Sequence, residues 1–303
     1  MKLISNIRND YQKNRSIYWL CIPIVLYYLL FCYLPMGGIA VAFQKYSLGK
    51  GIFNSKFIGL QNFTNFFNSY YFWRLLRNTF LLSFNNLVIG FPIPIIFALL
   101  LNEMKNKNFK RTVQTVSYLP YFISVVVICG LIIDFTNANG PISQVLALFG
   151  MENISLLGDP KYFRTVFVSS EIWQHMGYSS IVYLAALAGV DQALYEAAVI
   201  DGAGRWKQTL YITLPGISST IIVMLILRVG TLFALGFEKV MLLYNPATYD
   251  TADIISTFVY RKGFEDYNFG FSTAVDLFNS VINCSLLLIT NKLSRKFSDT
   301  SLF

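Results

Sequence analysis

Six long apolar runs constrain the fold of this chain more than any other feature of its sequence. They cover residues 17–43, 79–101, 113–133, 166–187, 217–237 and 271–289. A helix needs about 20 apolar residues to cross the hydrocarbon core of a membrane, and each run is close to that length or longer. Charged residues make up only 13% of the 303 residues, against about 25% in a soluble domain. The sequence therefore predicts an all-α integral membrane protein with six transmembrane helices.

The distribution of lysine and arginine between the loops indicates the orientation of the chain. If both termini are cytoplasmic, the cytoplasmic segments hold 13 basic residues and the external loops hold ten. Five of those ten lie in the first external loop, residues 44–78, which has no acidic residue. These five positive charges weaken the excess of basic residues on the cytoplasmic side. The cytoplasmic segments are nevertheless short and densely basic. We expect a multi-pass protein of the plasma membrane with both termini in the cytoplasm.

The segment between the fourth and fifth runs contains the signals of a short helix that ends abruptly. Asp191 is a suitable N-cap for this helix. Asp201 and Gly202 break it, because glycine readily adopts the positive φ that reverses a chain. The apolar face of the predicted helix is formed by Ala193, Ala197 and Ile200.

A second short helix is predicted directly after this break. Its apolar face would carry Ala203, Trp206 and Leu210, and Pro215 would close the segment. Two short helices at an angle form a compact knob that the groove of another protein can approach. An amphipathic loop lying on lipid headgroups is the alternative.

Three short motifs at fixed spacing lie in this segment, namely Glu196-Ala197-Ala198, Asp201-Gly202-Ala203 and Ile212-x-Leu214-Pro215. This pattern resembles the EAA loop of binding-protein-dependent ABC importer permeases. The resemblance implies that residues 191–215 form cytoplasmic coupling helices that sit in a cleft of an ATPase. The residues implied in that coupling are Glu196, Ala197, Ala198, Asp201, Gly202, Ala203, Gly204, Leu214 and Pro215. The chain departs from the pattern at Thr209, where an aromatic residue is usual, and Leu210 would then supply the packing.

The resemblance extends over about two-thirds of the chain and implies its organisation and partners. An N-terminal segment (1–76) would precede a permease core (77–290) and a cytoplasmic tail (291–303). Residues 187–198 are similar to the carbohydrate branch of the family, particularly to permeases for oligosaccharides and polysaccharide fragments, while peptides and polyamines stay open as substrates. The implied partners are a second permease in a heterodimer, two ATPases that bind ATP and Mg²⁺, and an extracytoplasmic solute-binding protein. The chain itself would hold no cofactor.

Ionisable residues inside the apolar runs are candidates for the translocation pathway, because a charge is costly there. Arg228 lies in the middle of the fifth run and Asp276 near the outer end of the sixth. Glu171, Trp173 and His175 lie together in the outer part of the fourth. Arg228 could bind an anionic or hydroxyl-rich solute, or pair with Asp276 as a structural bridge. His175 could relay a proton, or simply pack.

The motifs of several enzyme classes are missing from the sequence. It has no Walker A loop, no His-Glu-x-x-His, no nucleophile elbow and no metal-binding cysteine or histidine spacing. The net charge of +8 suits anionic lipid headgroups rather than nucleic acid. We therefore expect no enzyme activity in this chain. An ion-gradient-driven transporter that uses Glu171, His175 and Asp276 is the main alternative, and a membrane scaffold or sensor is a third.

Overall fold

A computed structural model describes residues 13–150, 154–233 and 236–297 of the chain. The chain forms two compact units. The first contains residues up to Asn68 together with Arg261–Leu277, and the second contains Ser69–Tyr260 together with the residues from Phe278 onward. The domain bounds expected from the sequence stay a prediction.

The first unit begins with a continuous helical run. It consists of α1 (Arg15–Tyr27), a π-helical stretch (Tyr28–Tyr33), α2 (Leu34–Met36) and a 3₁₀ stretch (Gly37–Phe43). Within the described part of this run, no residue before Val41 is buried. An apolar helix that its own chain leaves uncovered is suited to contact with lipid.

The rest of the first unit is a small assembly of short elements. They are β1 (Gln44–Lys45), α3 (Gly51–Asn54), β2 (Lys56–Phe57), α4 (Gln61–Phe67) and a π-helical stretch (Arg261–Glu265). The two strands are antiparallel, with Gln44 opposite Phe57. The side-chain amide of Asn62 donates to the carbonyl oxygens of Ala42 at 2.8 Å and Gln44 at 3.1 Å. This one buried amide therefore holds the loop to the end of the first helical run.

The second unit is built from helices of very different lengths. In chain order they are α5 (Phe72–Gly90), α6 (Pro92–Glu103), α7 (Lys107–Tyr118), a 3₁₀ turn (Leu119–Phe122), α8 (Val125–Thr136), α9 (Pro141–Leu148), a 3₁₀ turn (Leu156–Gly158), α10 (Pro160–Ala188), α11 (Gln192–Ile200), α12 (Arg205–Gln208), a π-helical stretch (Thr209–Thr213), α13 (Leu214–Gly216), α14 (Ser218–Gly230), α15 (Phe237–Leu243), a 3₁₀ turn (Pro246–Thr248), α16 (Tyr249–Ala252) and α17 (Ile255–Tyr260). The last helix, α18 (Phe269–Phe297), starts in the first unit and ends in the second.

Four described helical stretches are long and apolar enough to cross a membrane. They are Arg15–Phe43, Phe72–Glu103, Val125–Leu148 and Phe269–Arg295. The number rises to six if two bent pairs each count as one span, namely Pro160–Ala188 with Gln192–Ile200 and Arg205–Gly216 with Ser218–Gly230. The all-α membrane fold is confirmed, while the exact count of six spans stays a prediction.

Two of the predicted runs are not single helices. The run 113–133 is interrupted after Phe122, because Pro120 has no amide hydrogen for a helical bond and the chain turns extended at Ile123. The run 217–237 ends at Gly230. Two asparagines of α18 hold the non-helical backbone that follows: Asn283 accepts the Phe233 N–H at 2.8 Å, and Asn279 donates to the Phe233 carbonyl at 3.2 Å.

The longest helix of the second unit, α10, is the one around which its neighbours pack. Phe163 and Phe167 lie fully buried in a core with Leu82 and Ile128. Gly177 meets the chain at the end of α7 so closely that any Cβ would collide with the carbonyl oxygen of Ser117. Beside this contact the rings of Tyr121 and Tyr178 stack with centroids 3.8 Å apart. This part of α10 is fixed by backbone contact as well as by side chains.

A buried polar network joins the start of α5 to the segment before α17. Arg74 lies 3.4 Å from the carboxylate of Asp253 and 3.5 Å from that of Asp250. Asn78 donates to the Asp253 carbonyl at 3.1 Å, and Thr257 donates to its carboxylate at 2.9 Å. Arg74 belongs to the loop without acidic residues, and its charge is balanced by acids from much later in the chain.

Asp253→Ala should destabilise the protein strongly, because it would remove the buried counter-charge of Arg74 and leave only the exposed Asp250. The loss expected for breaking a buried pair is about 3–5 kcal/mol. Asp250→Ala is the matched control, since Asp250 contacts the same arginine but is 81% exposed, whereas Asp253 is 0% exposed. Thermal unfolding of both variants in one detergent measures the difference. Equal melting temperatures for the two variants would contradict this account.

Candidate functional site

The segment after α10 forms the predicted pair of short helices. The carboxylate of Asp191 accepts the N–H of Ala193 at 2.9 Å, which confirms the N-cap of α11. The helix ends at Ile200, and Gly202 follows with φ +74°. This left-handed conformation is the one that glycine adopts without strain. The break at Asp201 and Gly202 is therefore confirmed.

The second limb is longer than the sequence indicated. From Arg205 the chain stays helical through α12, the π-helical stretch and α13 as far as Gly216. Pro215 lies inside this helical run and does not close the segment. The bend comes two residues after Pro215: Ile217 has φ −105° and ψ 6°, and the run meets α14 at 62°.

Contacts between the two limbs and with the neighbouring loop hold the knob, which we define as residues 191–216. The hydroxyl groups of Tyr195 and Thr213 are hydrogen bonded at 2.9 Å, and Gln208 donates to the Ala203 carbonyl at 2.8 Å. Arg205 lies 3.5 Å from the carboxylate of Glu103 at the end of α6. The knob is therefore braced within the free chain.

The outer surface of the knob is apolar and uncovered. Among the described residues α11 buries none of its side chains. Ile200 is 85% exposed and Trp206 81% exposed. A Cβ added to Gly202 or Gly204 would meet no described residue beyond its immediate chain neighbours within 4 Å. Exposed apolar surface of this kind marks interaction sites.

The second candidate region lies on α10, where Glu171 is paired with a cation that sequence reasoning missed. The ammonium group of Lys239 lies 2.9 Å from the Glu171 carboxylate and 3.1 Å from the side-chain oxygen of Gln174. Lys239 is only 2% exposed, although it was counted among the external loop charges. The sequence feature that indicates burial of Lys239 is its position in a short apolar helix, α15, directly before the buried Val240.

Two adjoining cavities collect several of the predicted pathway residues. Arg228, Glu171 and Asn86 line both of them, and their volumes are about 80 and 180 Å³. His175 lines the larger one, with its Nδ1 atom 3.1 Å from the Glu171 carbonyl oxygen and 3.8 Å from the Glu171 carboxylate. Within the part of the chain that the structure describes, no carboxylate lies within ion-pair distance of Arg228. We call these two cavities the polar chamber.

The structure places the other two predicted pathway residues elsewhere. Trp173 points to the opposite side of α10 and lines an apolar cavity of about 520 Å³ with Leu131 and Phe135. It is therefore separated from Glu171 and His175, because positions two apart on a helix face different directions. Asp276 is an exposed residue of α18 in the first unit. Its bridge to Arg228 stays a prediction.

Membrane-length helices with an exposed helical knob between two of them have the architecture of a transport-system permease. Residues 76–299 match the family described as binding-protein-dependent transport system inner membrane component, and the chain belongs to that family. Membership confirms the resemblance drawn from the motifs in residues 191–215. Membership also disfavours the two alternative hypotheses, an ion-gradient-driven transporter and a membrane scaffold or sensor.

Relatives and a solved structure match almost the whole chain. It is 43% identical to protein LplB of Bacillus subtilis (strain 168), over 96% of this chain and 92% of that protein. It is 41% identical to the polygalacturonan/rhamnogalacturonan transport system permease protein YteP of the same organism, over 96% and 91%. A chain in the crystal structure of a bacterial alginate ABC transporter, in complex with an alginate pentasaccharide-bound periplasmic protein, is 39% identical. It matches with a TM-score of 0.90, over 97% of this chain and 99% of that one.

Lys239→Ala should lower the free energy of unfolding by about 3–5 kcal/mol, because it leaves the Glu171 carboxylate buried without its partner. The double variant Glu171→Gln/Lys239→Met should recover most of that loss, because neither charge remains. Thermal unfolding in a single detergent compares the two. Lys161→Ala removes an exposed cation and serves as the control, with little change expected. A double variant as unstable as the single one would show that the ion pair is not what stabilises this contact.

Proposed function

We propose that this chain is the permease subunit of an ABC importer that takes up oligosaccharides. The names of its relatives support the substrate class, since YteP is described as a polygalacturonan/rhamnogalacturonan permease and the matching structure as an alginate transporter. That structure also holds a periplasmic protein with bound saccharide, which supports delivery by an extracytoplasmic binding protein. A second permease, as a heterodimer, completes the pore. ATP and Mg²⁺ are bound by two partner ATPases, and this chain supplies the pathway without a cofactor.

The observation that carries the coupling proposal is the uncovered apolar tip of the knob. Its limbs are braced against each other, yet Ile200 and Trp206 contact almost nothing in this chain. A cleft on the ATPase is the proposed occupant. Glu196 and Asp201, both exposed, would then meet polar groups at the edge of that cleft.

The connections of the knob give a route from the ATPase to the polar chamber. One limb continues across a 71° bend into α10, which carries Glu171, and the other continues across a 62° bend into α14, which carries Arg228. Moving the knob as a rigid element therefore moves two walls of the chamber. Alternating access in this proposal is a change in the packing of α10 and α14 when ATP closes the ATPase dimer.

Two further observations support the proposed topology and domain division. The ion pair between Arg205 and Glu103 puts the knob on the same side as the basic segment 103–111. Both would be cytoplasmic, as would the two termini. The family match begins at residue 76, which supports a core of residues 77–290 between an N-terminal segment and a short tail.

Gly202→Asp should abolish ATP-driven uptake without preventing membrane insertion, because the new carboxylate would enter the space proposed for the ATPase. Gly51→Asp is a matched control: Gly51 also has positive φ, at +68°, and open space around its Cβ position. It lies in the first predicted external loop, so its variant should keep transport. Glu196→Ala should be mild. Recovery of the ATPase with tagged permease measures the coupling, and normal recovery and uptake with Gly202→Asp would refute it.

Purification of the tagged chain from its host membrane, followed by mass spectrometry, tests the assembly itself. We expect an ATPase and a second permease that carries its own EAA loop. The recovered complex in proteoliposomes should accumulate oligosaccharide when ATP is supplied and the ion gradients are collapsed. Recovery of this chain alone after crosslinking in the membrane, or uptake that requires an ion gradient, would overturn the proposal.

A further inference from the structure

We infer that Ser83, Asn86 and Arg228 form a carboxylate-binding subsite in the polar chamber, which makes the permease prefer saccharides that carry uronate groups. The inference rests on the proposed function and names the substrate chemistry. Three side chains from two helices line the same small cavity, Ser83 and Asn86 from α5 and Arg228 from α14. All three can donate hydrogen bonds.

Two of these donors are buried without a partner. Ser83 is 1% exposed and Asn86 is 3% exposed, and within the described residues neither the Ser83 hydroxyl nor the Asn86 side-chain nitrogen makes a hydrogen bond. Buried polar groups are normally satisfied. Thr79, one turn earlier on the same helix, donates to the carbonyl of Leu75 at 2.8 Å. Ser83 makes no such bond, so its buried donor has no partner among the described residues.

The position of the Asn86 amide is fixed by a neighbouring glycine. A Cβ at Gly90 would lie 2.7 Å from the Asn86 side-chain oxygen. A larger residue at position 90 would require the amide to shift from where it stands. The side-chain nitrogen of Asn86 has no hydrogen-bond partner among the described residues, which is expected where an external group completes the bonding.

The charge balance of the chamber favours an anion over a neutral hydroxyl group. Glu171 is the one acidic residue among the described residues that line either cavity, and Lys239 neutralises it at 2.9 Å. Among the described residues of the second unit, no carboxylate lies within ion-pair distance of Arg228, which is exposed. A sugar hydroxyl could satisfy Ser83 and Asn86 but would leave Arg228 without a counter-charge. A carboxylate would satisfy all three, since a guanidinium group binds its two oxygens in parallel.

The sizes of the two cavities suit one functional group beside a sugar ring. Pockets for whole ligands measure about 300–1,000 Å³, so the cavity of about 80 Å³ that contains Ser83 and Thr231 fits a carboxylate group alone. The adjoining cavity of about 180 Å³ adds the rings of Phe91 and Tyr183. These aromatic faces are placed to contact the ring to which the carboxylate is attached.

The test compares uptake of labelled trigalacturonate and of its neutral counterpart, galactotriose, by the purified importer in proteoliposomes. Wild type should import the uronate at least about tenfold faster at equal low concentration, the range expected for hydrogen bonds to a charged group. Arg228→Gln should remove this preference by lowering uronate uptake about tenfold while changing neutral uptake little. Arg228→Lys keeps the charge but not the paired geometry. Its preference for the uronate should therefore lie between that of wild type and that of Arg228→Gln.

Two variants of α5 separate ligand binding from folding. Ser83→Ala should reduce the uronate preference while leaving the melting temperature equal or higher, since the hydroxyl makes no bond in the free protein. Asn86→Ala should reduce the preference as well. Asn85→Ala is its control, because Asn85 is the same residue type on the same helix but does not line the chamber.

The possible failures are distinct. Equal uptake of both sugars by wild type, or an equal loss of both in Arg228→Gln, would overturn the subsite while leaving the importer intact. A fall in stability of Ser83→Ala with an unchanged preference would assign this hydroxyl to folding and also overturn the subsite. Uptake of neither sugar by wild type, with the ATPase present and active, would refute the proposed function and the subsite together.

Discussion

A charge that is removed from water must be compensated, and the second unit depends on how its chain meets this requirement. Lys239 is almost wholly buried and is held by Glu171 and Gln174, which fastens α15 to α10. Asp253 is buried and held by Arg74, which fastens the segment before α17 to the start of α5. Irregular stretches of backbone are thereby attached to long helices by polar contacts. Arg228 differs from both: it is exposed, it has no carboxylate within ion-pair distance among the described residues of the second unit, and it lines the chamber.

The proposed coupling and the proposed specificity share one helix, α14, which carries Arg228. The knob is attached to α10 on one side and to α14 on the other, and these helices also carry Glu171 and Arg228. A movement of α14 relative to α5 would alter the distance from Arg228 to Ser83 and Asn86 around a bound carboxylate. Substrate release and ATPase movement would then be coupled through geometry, without a separate signal along the chain.

Much of the fold could be predicted from local pattern. Apolar length located the spans, and Asp191 with Gly202 gave the N-cap and the reversal of the knob, because both act through their own backbone neighbours. The break at Ile123 and the early end of α14 were missed. The second depends on Asn279 and Asn283, which lie far along the chain and hold the turn at Phe233. The helix propensity of a short stretch of sequence contains no information about partners that lie so far along the chain.

The candidate site was predictable only in part for the same reason. Ionisable residues in apolar runs gave Glu171, His175 and Arg228 as pathway candidates, and the structure places these three around one chamber. Their part in translocation stays a prediction. The sequence could not show that Lys239 neutralises Glu171, or that Ser83 and Asn86 lack partners, since burial and hydrogen bonding are properties of the packed helices. Trp173 was grouped by sequence distance, whereas the helical repeat places it on another face.

The contact between Gly177 and Ser117 has a mechanical consequence. Because no methyl group fits between the two backbones, α10 cannot move closer to the end of α7 there, and a tilt about that point is a movement that keeps the contact. At 1.5 Å per residue, the end of α10 at Ala188 lies about 16 Å from this contact, and Glu171 lies about 9 Å away on the other side. If α10 tilts about the contact as a rigid helix, a displacement of its knob end would move Glu171 by a smaller amount in the opposite direction.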